Sequence, residues 1–135
     1  MGVKAVARRR QGYAHDVEIE GRHAILMDEP EGAGGTDLGP SPTRVLAAAL
    51  AGCTAITVEM YADRKGWDLG GVEVEVEMEY GRASLPESFT VLLRVEAELS
   101  EEQRERLLVI AGKCPVHRAL SSDTPVRVED RIEPL

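Results

Sequence analysis

The chain has 135 residues, 43% hydrophobic and 30% charged, which fits one domain over residues 1–135 and excludes general disorder. Its net charge of −8 would repel phosphate backbones and anionic lipids, so neither nucleic acid nor a membrane is an expected partner. No signal peptide is evident and no apolar stretch is expected to span a bilayer. Two cysteines without such a signal indicate a cytoplasmic protein.

The N-terminal region predicts three short strands joined by turns. Val3–Arg9 alternates loosely and is followed by a turn at Arg10–Gly12. Tyr13–Ile19 forms the next predicted strand, and His23–Met27 follows a second turn at Glu20–Gly21. These segments indicate an antiparallel meander.

A long loop and a long helix come next. Asp28–Pro40 contains prolines, glycines and acids and is longer than most connections, which favours a functional loop or one packed on a partner. Ser41 and Pro42 form a strong helix start, with an N-cap serine before a proline at the first helical position. The helix is expected to end near Lys65–Gly66, with one apolar stripe on it: Leu46, Ala49, Leu50, Cys53, Ile56, Thr57 and Met60.

The second half predicts two strands, two helices and a closing strand. Val72–Tyr80 alternates strictly between apolar and acidic residues, and Phe89–Leu99 returns after a turn. Ser100 opens a helix through a capping box with Gln103. Cys114 is a candidate N-cap for a short predicted helix, Pro115–Leu120. A closing strand is predicted at Val126–Ile132. This order favours an α+β fold with a mostly antiparallel sheet.

The two cysteines are the best candidates for chemistry. Cys114 directly precedes a helix start, where free N–H groups and the helix dipole favour a thiolate. Cys53 follows the small residues Ala47–Gly52, which would let a substrate or another backbone approach closely. The alternative is that Cys53 is a small core residue and Cys114 an incidental helix-cap residue, since free cysteine is often buried for packing alone. A buried thiol also needs a cation or hydrogen-bond donors before it can act as a nucleophile.

Three segments together resemble the OsmC/Ohr family of organic hydroperoxide reductases, in its broader OsmC-like branch. They are Gly39-Pro-Ser-Pro, Leu46-Ala-Ala-Ala-Leu-Ala-Gly-Cys-Thr and Cys114-Pro-Val-His-Arg-Ala-Leu. The resemblance implies an OsmC-like α+β fold with a long central helix that carries a cysteine, a second helix, and an intertwined homodimer with sites at the subunit interface. No cofactor is expected.

The resemblance also implies a thiol peroxidase. Cys53 would attack the distal oxygen of an organic hydroperoxide and become a sulfenic acid. Cys114 would condense with it to a transient disulfide, and an external dithiol, lipoyl or a small thiol, would reduce the pair. The apolar helix stripe fits a substrate with an alkyl or aryl tail.

The sequence offers several candidates for the cation that would activate Cys53. In the family's peroxidases an arginine in the first β-turn holds the thiolate, and Arg10 is the closest match, with Arg9 and Arg22 as competitors. Arginine suits this role because it stays charged when partly buried. The same peroxidases carry a glutamate just after the helix-start proline, whereas this chain has Thr43 and Arg44 there. Arg44 is therefore a further candidate, and a weak peroxidase is the alternative.

Two other functions are weighed against the peroxidase. The missing glutamate favours a non-peroxidase module of the same fold that senses redox state or binds a small molecule. His117 makes a Cys-x-x-His motif with Cys114, and Cys53 would add a third zinc ligand. Structural zinc usually takes four protein ligands, so no metal site is predicted.

Overall fold

The computed structural model describes residues 2–135, which form two compact units. Residues 2–48 with 80–87 make the first unit, and residues 49–79 with 88–135 make the second. Along the chain the elements are β1 (Ala5–Gln11), β2 (Ala14–Ile19), β3 (His23–Met27), α1 (Pro42–Lys65), β4 (Val72–Tyr80), β5 (Pro86–Val95), α2 (Glu101–Ala111) and α3 (Pro115–Ser121). The predicted α+β class is confirmed, with a three-stranded sheet β1–β2–β3 and a two-stranded sheet β4–β5.

The N-terminal sheet is the predicted antiparallel meander. β2 lies between β1 and β3 and pairs antiparallel with both. The bounds of β3 are those predicted, but β1 extends through Arg10 and Gln11, which were predicted to form the turn. The turn falls instead at Gly12, whose φ of +54° is accessible to glycine without a side-chain clash. Arg10 is therefore a strand residue.

The loop between β3 and α1 is held by the buried carboxylate of Asp28. Its oxygens accept hydrogen bonds from the Thr36 hydroxyl at 2.6 Å and from the backbone N–H of Glu29 at 2.7 Å. The N–H groups of Thr36 and Leu38 donate to the same carboxylate. A side chain at Gly35 would collide with the Glu29 backbone, so this position requires glycine. The loop is thus held by this acid together with a short 3-10 helix at Glu31–Ala33.

These hydrogen bonds predict a pH-dependent contribution of Asp28 to stability. The Thr36 hydroxyl is the largest of the influences that hold the pKa of Asp28 below its ordinary value, and three backbone N–H groups add to it against the effect of burial. Since the folded-state pKa is depressed, the stabilisation is complete above the unfolded-state pKa of about 4 and is lost as pH falls through the folded-state value. We expect Asp28→Asn to destabilise the protein at neutral pH and to flatten the acid limb of its stability curve.

Urea denaturation at several pH values below neutrality measures this effect. Asp63→Asn, at an exposed carboxylate of α1, is the matched control and should keep the wild-type acid limb. An Asp28→Asn variant with the wild-type dependence on pH would contradict the prediction.

Helix α1 has the predicted ends but presents a different face to the core. It begins at Pro42 and ends at Lys65, and Gly66 follows in the left-handed conformation with φ +71°. Two members of the predicted buried stripe, Ile56 and Met60, are 58% and 57% exposed. Of the predicted stripe Leu50 is buried, and the other buried residues are Thr54, Val58, Tyr61 and Ala62. Because the helix is apolar on most of its circumference, its periodicity could not identify the buried face.

The length and composition of α1 bear on the expectation that no segment spans a membrane. Over an 18-residue window its mean hydropathy is 1.6, which is enough by length and composition to cross a membrane, although no such segment was predicted. Core helices of water-soluble proteins meet the same criterion. Only 28% of that window is buried, so much apolar surface of α1 has no cover within the described chain.

The core of the second unit lies between α1, α2 and the β4–β5 sheet. Its buried members are Val58, Tyr61, Ala62, Leu69, Leu107 and Ile110. β4 has the predicted bounds and alternates as expected, with its acidic face in solvent. On that face Arg94 of β5 bridges Glu73 and Glu75 at 2.7 and 2.8 Å. Exposed pairs of this kind contribute little, so apolar burial dominates the stability of this unit.

The C-terminal elements are partly as predicted. The Ser100–Gln103 capping box is present in both directions and opens α2. Cys114 is the N-cap of α3, as the sequence indicated. The closing strand is wrong, because residues 122–135 contain no helix or strand and Val126, Val128 and Ile132 are exposed. A strand needs a neighbouring edge to pair with, and alternation in sequence does not supply one.

Candidate functional site

The two cysteines meet in the second unit. Cys53 lies in the middle of α1 and Cys114 between α2 and α3, 61 residues apart in sequence. Their sulfur atoms are joined as a disulfide, with the two Cα atoms 5.9 Å apart, inside the usual range for such a bond. The structure therefore brings together the residues that the sequence selected as candidates.

The two cysteines have different surroundings. Cys114 is fully buried, whereas Cys53 is half-buried. The space beside the preceding residue, Gly52, is open, since a side chain added there would contact nothing. A molecule arriving from solvent therefore reaches the sulfur of Cys53 more readily than that of Cys114. This asymmetry suits a pair in which Cys53 reacts with a substrate and Cys114 reacts with Cys53.

The conformation around Cys114 comes from the local sequence. Pro115 occupies the first helical position of α3, where a missing N–H carries no penalty. The sulfur of Cys114 accepts a hydrogen bond from the backbone N–H of His117 at 3.4 Å. The same N–H would stabilise negative charge on this sulfur once the disulfide is reduced.

Arg10, the proposed activating cation, lies on β1 in the first unit. Its guanidinium makes a two-point contact with the carboxylate of Asp16 on β2, at 2.8 and 3.2 Å. Arg9 donates to the carbonyl oxygen of Gly12 at 2.9 Å. Arg22 and Arg44 are exposed and make no ion pair within residues 2–135. Arg10 is thus the candidate that is positioned by a carboxylate, although that carboxylate is not on α1.

The start of α1 contains a contact that sequence reasoning missed. The hydroxyl groups of Thr43 and Tyr80 lie 2.7 Å apart and form a hydrogen bond within the first unit. Tyr80 was read only as the last residue of a strand, and no spacing in the sequence linked it to Thr43. The contact is a neutral hydrogen bond at the first turn of α1.

Within residues 2–135 no group of three His, Cys, Asp or Glu side chains is arranged to hold an ion. His117, the second ligand of the Cys-x-x-His motif, faces the hydroxyl of Ser121, with 3.3 Å between Nδ1 and Oγ. Its side chain is therefore occupied locally on α3.

Comparison with known proteins gives a family and a fold. The OsmC-like protein family matches residues 34–129. Among solved structures, one of a Psychrobacter arcticus protein named for osmotic stress and detoxification response has a TM-score of 0.80 at 20% identity, covering 88% of each chain. An organic hydroperoxide resistance protein of Legionella pneumophila has a TM-score of 0.61 at 20% identity, covering 92% of this chain and 93% of its own.

A third structure, OhrB of Bacillus subtilis, is named an organic hydroperoxide resistance protein. It has a TM-score of 0.62 at 22% identity and covers 96% of this chain and 97% of its own. Identities this low show a shared fold. No curated protein matches the sequence.

Proposed function

The chain belongs to the OsmC-like family, and from that premise we propose that it is a thiol-dependent peroxidase acting on organic hydroperoxides. The observation that carries the proposal is the pairing of half-buried Cys53 with buried Cys114 in one disulfide. The names of the Legionella and Bacillus proteins of the same fold, which refer to organic hydroperoxide resistance, support the same reaction.

The reaction requires one nucleophile and one resolving thiol. The Cys53 thiolate attacks the distal oxygen of the hydroperoxide, the O–O bond breaks, and the alkoxide leaves as an alcohol after taking up a proton. Cys53 then carries a sulfenic acid. The Cys114 thiolate attacks its sulfur, forming the disulfide and expelling hydroxide, which is protonated to water.

Turnover requires a reductant from outside the chain. A dithiol, lipoyl or a small thiol, attacks the disulfide and is itself oxidised to a disulfide. The half-buried Cys53 sulfur is the one that such a reductant can reach. The reducing cytoplasm supplies dithiols of this kind and is the compartment that we propose.

One experiment tests the proposal directly. Reduced protein treated with one equivalent of cumene hydroperoxide should lose both thiols and gain a Cys53–Cys114 disulfide, seen by mass spectrometry as the loss of two hydrogens. Cumyl alcohol should appear in equal amount. Unreacted thiols after this treatment would reject the peroxidase.

A second function is favoured by the first turn of α1. Thr43 and Tyr80 form a neutral hydrogen bond where the family's peroxidases carry a glutamate, which is compatible with a non-peroxidase module that senses redox state or binds a small molecule. That module would leave its thiols intact in the cumene hydroperoxide experiment, so the same measurement separates the two functions.

Arg10 is proposed as the cation that stabilises the Cys53 thiolate and polarises the peroxide. Its support is that it is the closest match in the sequence to the turn arginine of the family's peroxidases; in the structure it lies on β1, two residues before the turn at Gly12, with its guanidinium paired to Asp16. We expect Arg10→Gln to lower kcat/KM for cumene hydroperoxide by about 10²-fold, the usual effect of removing one charge-stabilising donor. Arg8→Gln is the matched control, since Arg8 lies on the same strand in an ion pair with Glu18 and should keep wild-type activity. Equal losses in the two variants would contradict the role of Arg10.

A homodimer is the assembly that we propose. The supporting surface is an exposed apolar stripe on α1 formed by Ala49, Gly52, Ile56 and Met60, which recur at three- and four-residue steps. Small residues at Ala49 and Gly52 would allow close approach of a second copy of the helix. The exposed alternating segment 126–132 offers an additional strand to such a partner.

This surface predicts that a charge will weaken association. Ile56→Glu places a carboxylate in the stripe, and burying it against the partner would be unfavourable, so the variant should be monomeric at concentrations where the wild type is a dimer. Sedimentation velocity measures this. Val3→Glu makes the same change at another exposed apolar residue, outside the stripe, and should stay dimeric. A dimeric Ile56→Glu variant would place the interface elsewhere.

A further inference from the structure

The second unit contains a groove whose lining residues do not include the disulfide. It opens between the C-terminal end of α1 and the N-terminal half of α2 and has a volume of about 820 Å³, within the range of small-molecule sites. Its principal lining residues are Tyr61, Lys65, Trp67, Glu105, Arg106 and Val109. Neither cysteine lines it.

The centre of the groove is the hydroxyl group of Tyr61. The ring of this residue belongs to the core and is 8% exposed. Arg106 donates from Nε to the Tyr61 hydroxyl at 2.9 Å, and its guanidinium carbon lies 5.4 Å from the ring centroid. The ammonium of Lys65 lies 5.8 Å from the same centroid. The cationic groups of Arg106 and Lys65 therefore both lie close to the Tyr61 side chain.

Among the described residues the two cations have no carboxylate partner, and their protein contact in the groove is with Tyr61. Within residues 2–135 neither Lys65 nor Arg106 has a carboxylate oxygen within 4.0 Å, and the Tyr61 hydroxyl accepts from Arg106 without a protein partner for its own hydrogen. The hydrogen bond from Arg106 is the main cause of a Tyr61 pKa below its ordinary value, as expected for a phenol next to positive charge. Such a cluster attracts negative charge.

The walls of the groove favour a flat apolar body. Tyr61 and Trp67 pack edge to face, with their ring centroids 5.7 Å apart, and Val109 adds an exposed aliphatic surface. We propose that this groove binds a small aromatic monocarboxylate, whose carboxylate accepts from Arg106, Lys65 and the Tyr61 hydroxyl while its ring contacts Trp67.

Two acids limit the charge of the ligand. Glu102 and Glu105 also line the groove, so its four charged side chains sum to zero and a dianion would meet repulsion from both carboxylates. The capping box of α2 engages the Ser100 and Gln103 side chains, so they are already satisfied within the helix. The expected ligand therefore carries no more than one negative charge.

The chain offers a direct reporter of binding. Trp67 is the only tryptophan, so the spectrum of ¹⁵N-labelled protein contains one indole N–H signal. We expect benzoate to shift this signal saturably, with a Kd on the order of 1 mM for so small a ligand. Benzamide, which has the same shape without the charge, should not produce a saturable shift. The absence of saturation with benzoate, or an equal response to benzamide, would overturn the proposal.

Variants on α2 separate this site from general charge effects. Arg106→Gln should weaken benzoate binding at least about tenfold, because it removes a charge-assisted hydrogen bond. Arg104→Gln removes the same charge from an exposed position outside the groove and should bind as wild type. The Glu105→Gln variant should bind benzoate more tightly than the wild type, because it removes a negative charge from the groove. Equal losses in the Arg104 and Arg106 variants would overturn the site. All four proteins can be tested with the disulfide intact, so the result does not depend on peroxidase activity.

Discussion

Replacing Cys53 by serine is expected to abolish hydroperoxide reduction. A serine hydroxyl does not ionise near neutral pH and is a poor nucleophile, so consumption of cumene hydroperoxide should fall by a factor on the order of 10³ or more, as when a covalent nucleophile is removed. A ferrous-ion oxidation assay of the remaining peroxide measures this. No sulfenic acid should form, and Cys114 should remain a thiol, because it is fully buried.

Cys114→Ser is the matched control for this result. Both variants lose the same disulfide, which links positions 61 residues apart in the sequence. The loss of this restraint on the unfolded chain should therefore change their stabilities alike. Their chemistry should differ, since Cys114→Ser keeps the attacking thiol and should consume one equivalent of hydroperoxide. It should then stop, with a Cys53 sulfenic acid that dimedone can trap.

The pair of variants can also contradict the assignment. Full turnover in Cys53→Ser would exclude Cys53 as the attacking residue. A sulfenic acid on Cys114 in that variant would reverse the two roles and show that peroxide reaches the buried sulfur.

Replacing Leu107 by alanine is expected to cause a large loss of stability. Leu107 is 1% exposed and belongs to the core cluster between α1, α2 and the β4–β5 sheet. Removing its side chain should lower the free energy of unfolding by about 2–5 kcal/mol through lost apolar burial and a residual cavity. Domains of this size are stable by only about 5–15 kcal/mol, so the urea midpoint should move substantially.

The neighbouring residue supplies the control. Leu108 is 64% exposed, and Leu108→Ala removes the same atoms from the same helix. Its effect should stay within about 0.5 kcal/mol, as for most surface substitutions. Both variants must be compared in one redox state, because the disulfide contributes to both measurements. Similar losses at the two positions would mean that α2 buries a different face.

Local signals in the sequence determined where most elements begin and end. Ser41 and Pro42 indicated the start of α1, where proline has no N–H to leave unpaired. The capping box indicated the start of α2, where the Ser100 side chain accepts from the backbone N–H of Gln103. The strict alternation in Val72–Tyr80 gave β4 with its correct bounds, since a half-buried strand leaves no other pattern. The Cys114-Pro115 step gave the start of α3 for the same reason as the other caps.

Two predictions failed where a second segment of chain decides the outcome. The buried face of α1 was misassigned at Ile56 and Met60, because a helix that is apolar on most sides gains similarly from burying any of them. The alternation of residues 126–132 did not produce a strand, because pairing depends on an available edge and not on the strand's own residues.

For the candidate site, the sequence by itself selected the candidate residues, and the tertiary structure decided how they are arranged. Two thiols, their helix contexts and the resemblance of their motifs pointed to Cys53 and Cys114, because reactivity is a property of residue type and local backbone. That the two sulfurs meet, that Cys53 is the more accessible, and that Arg10 pairs with Asp16 depend on contacts between residues distant in sequence or on different strands. The hydrogen bonds from Thr43 to Tyr80 and from Arg106 to Tyr61 join residues 37 and 45 positions apart, and the folded chain alone places them together.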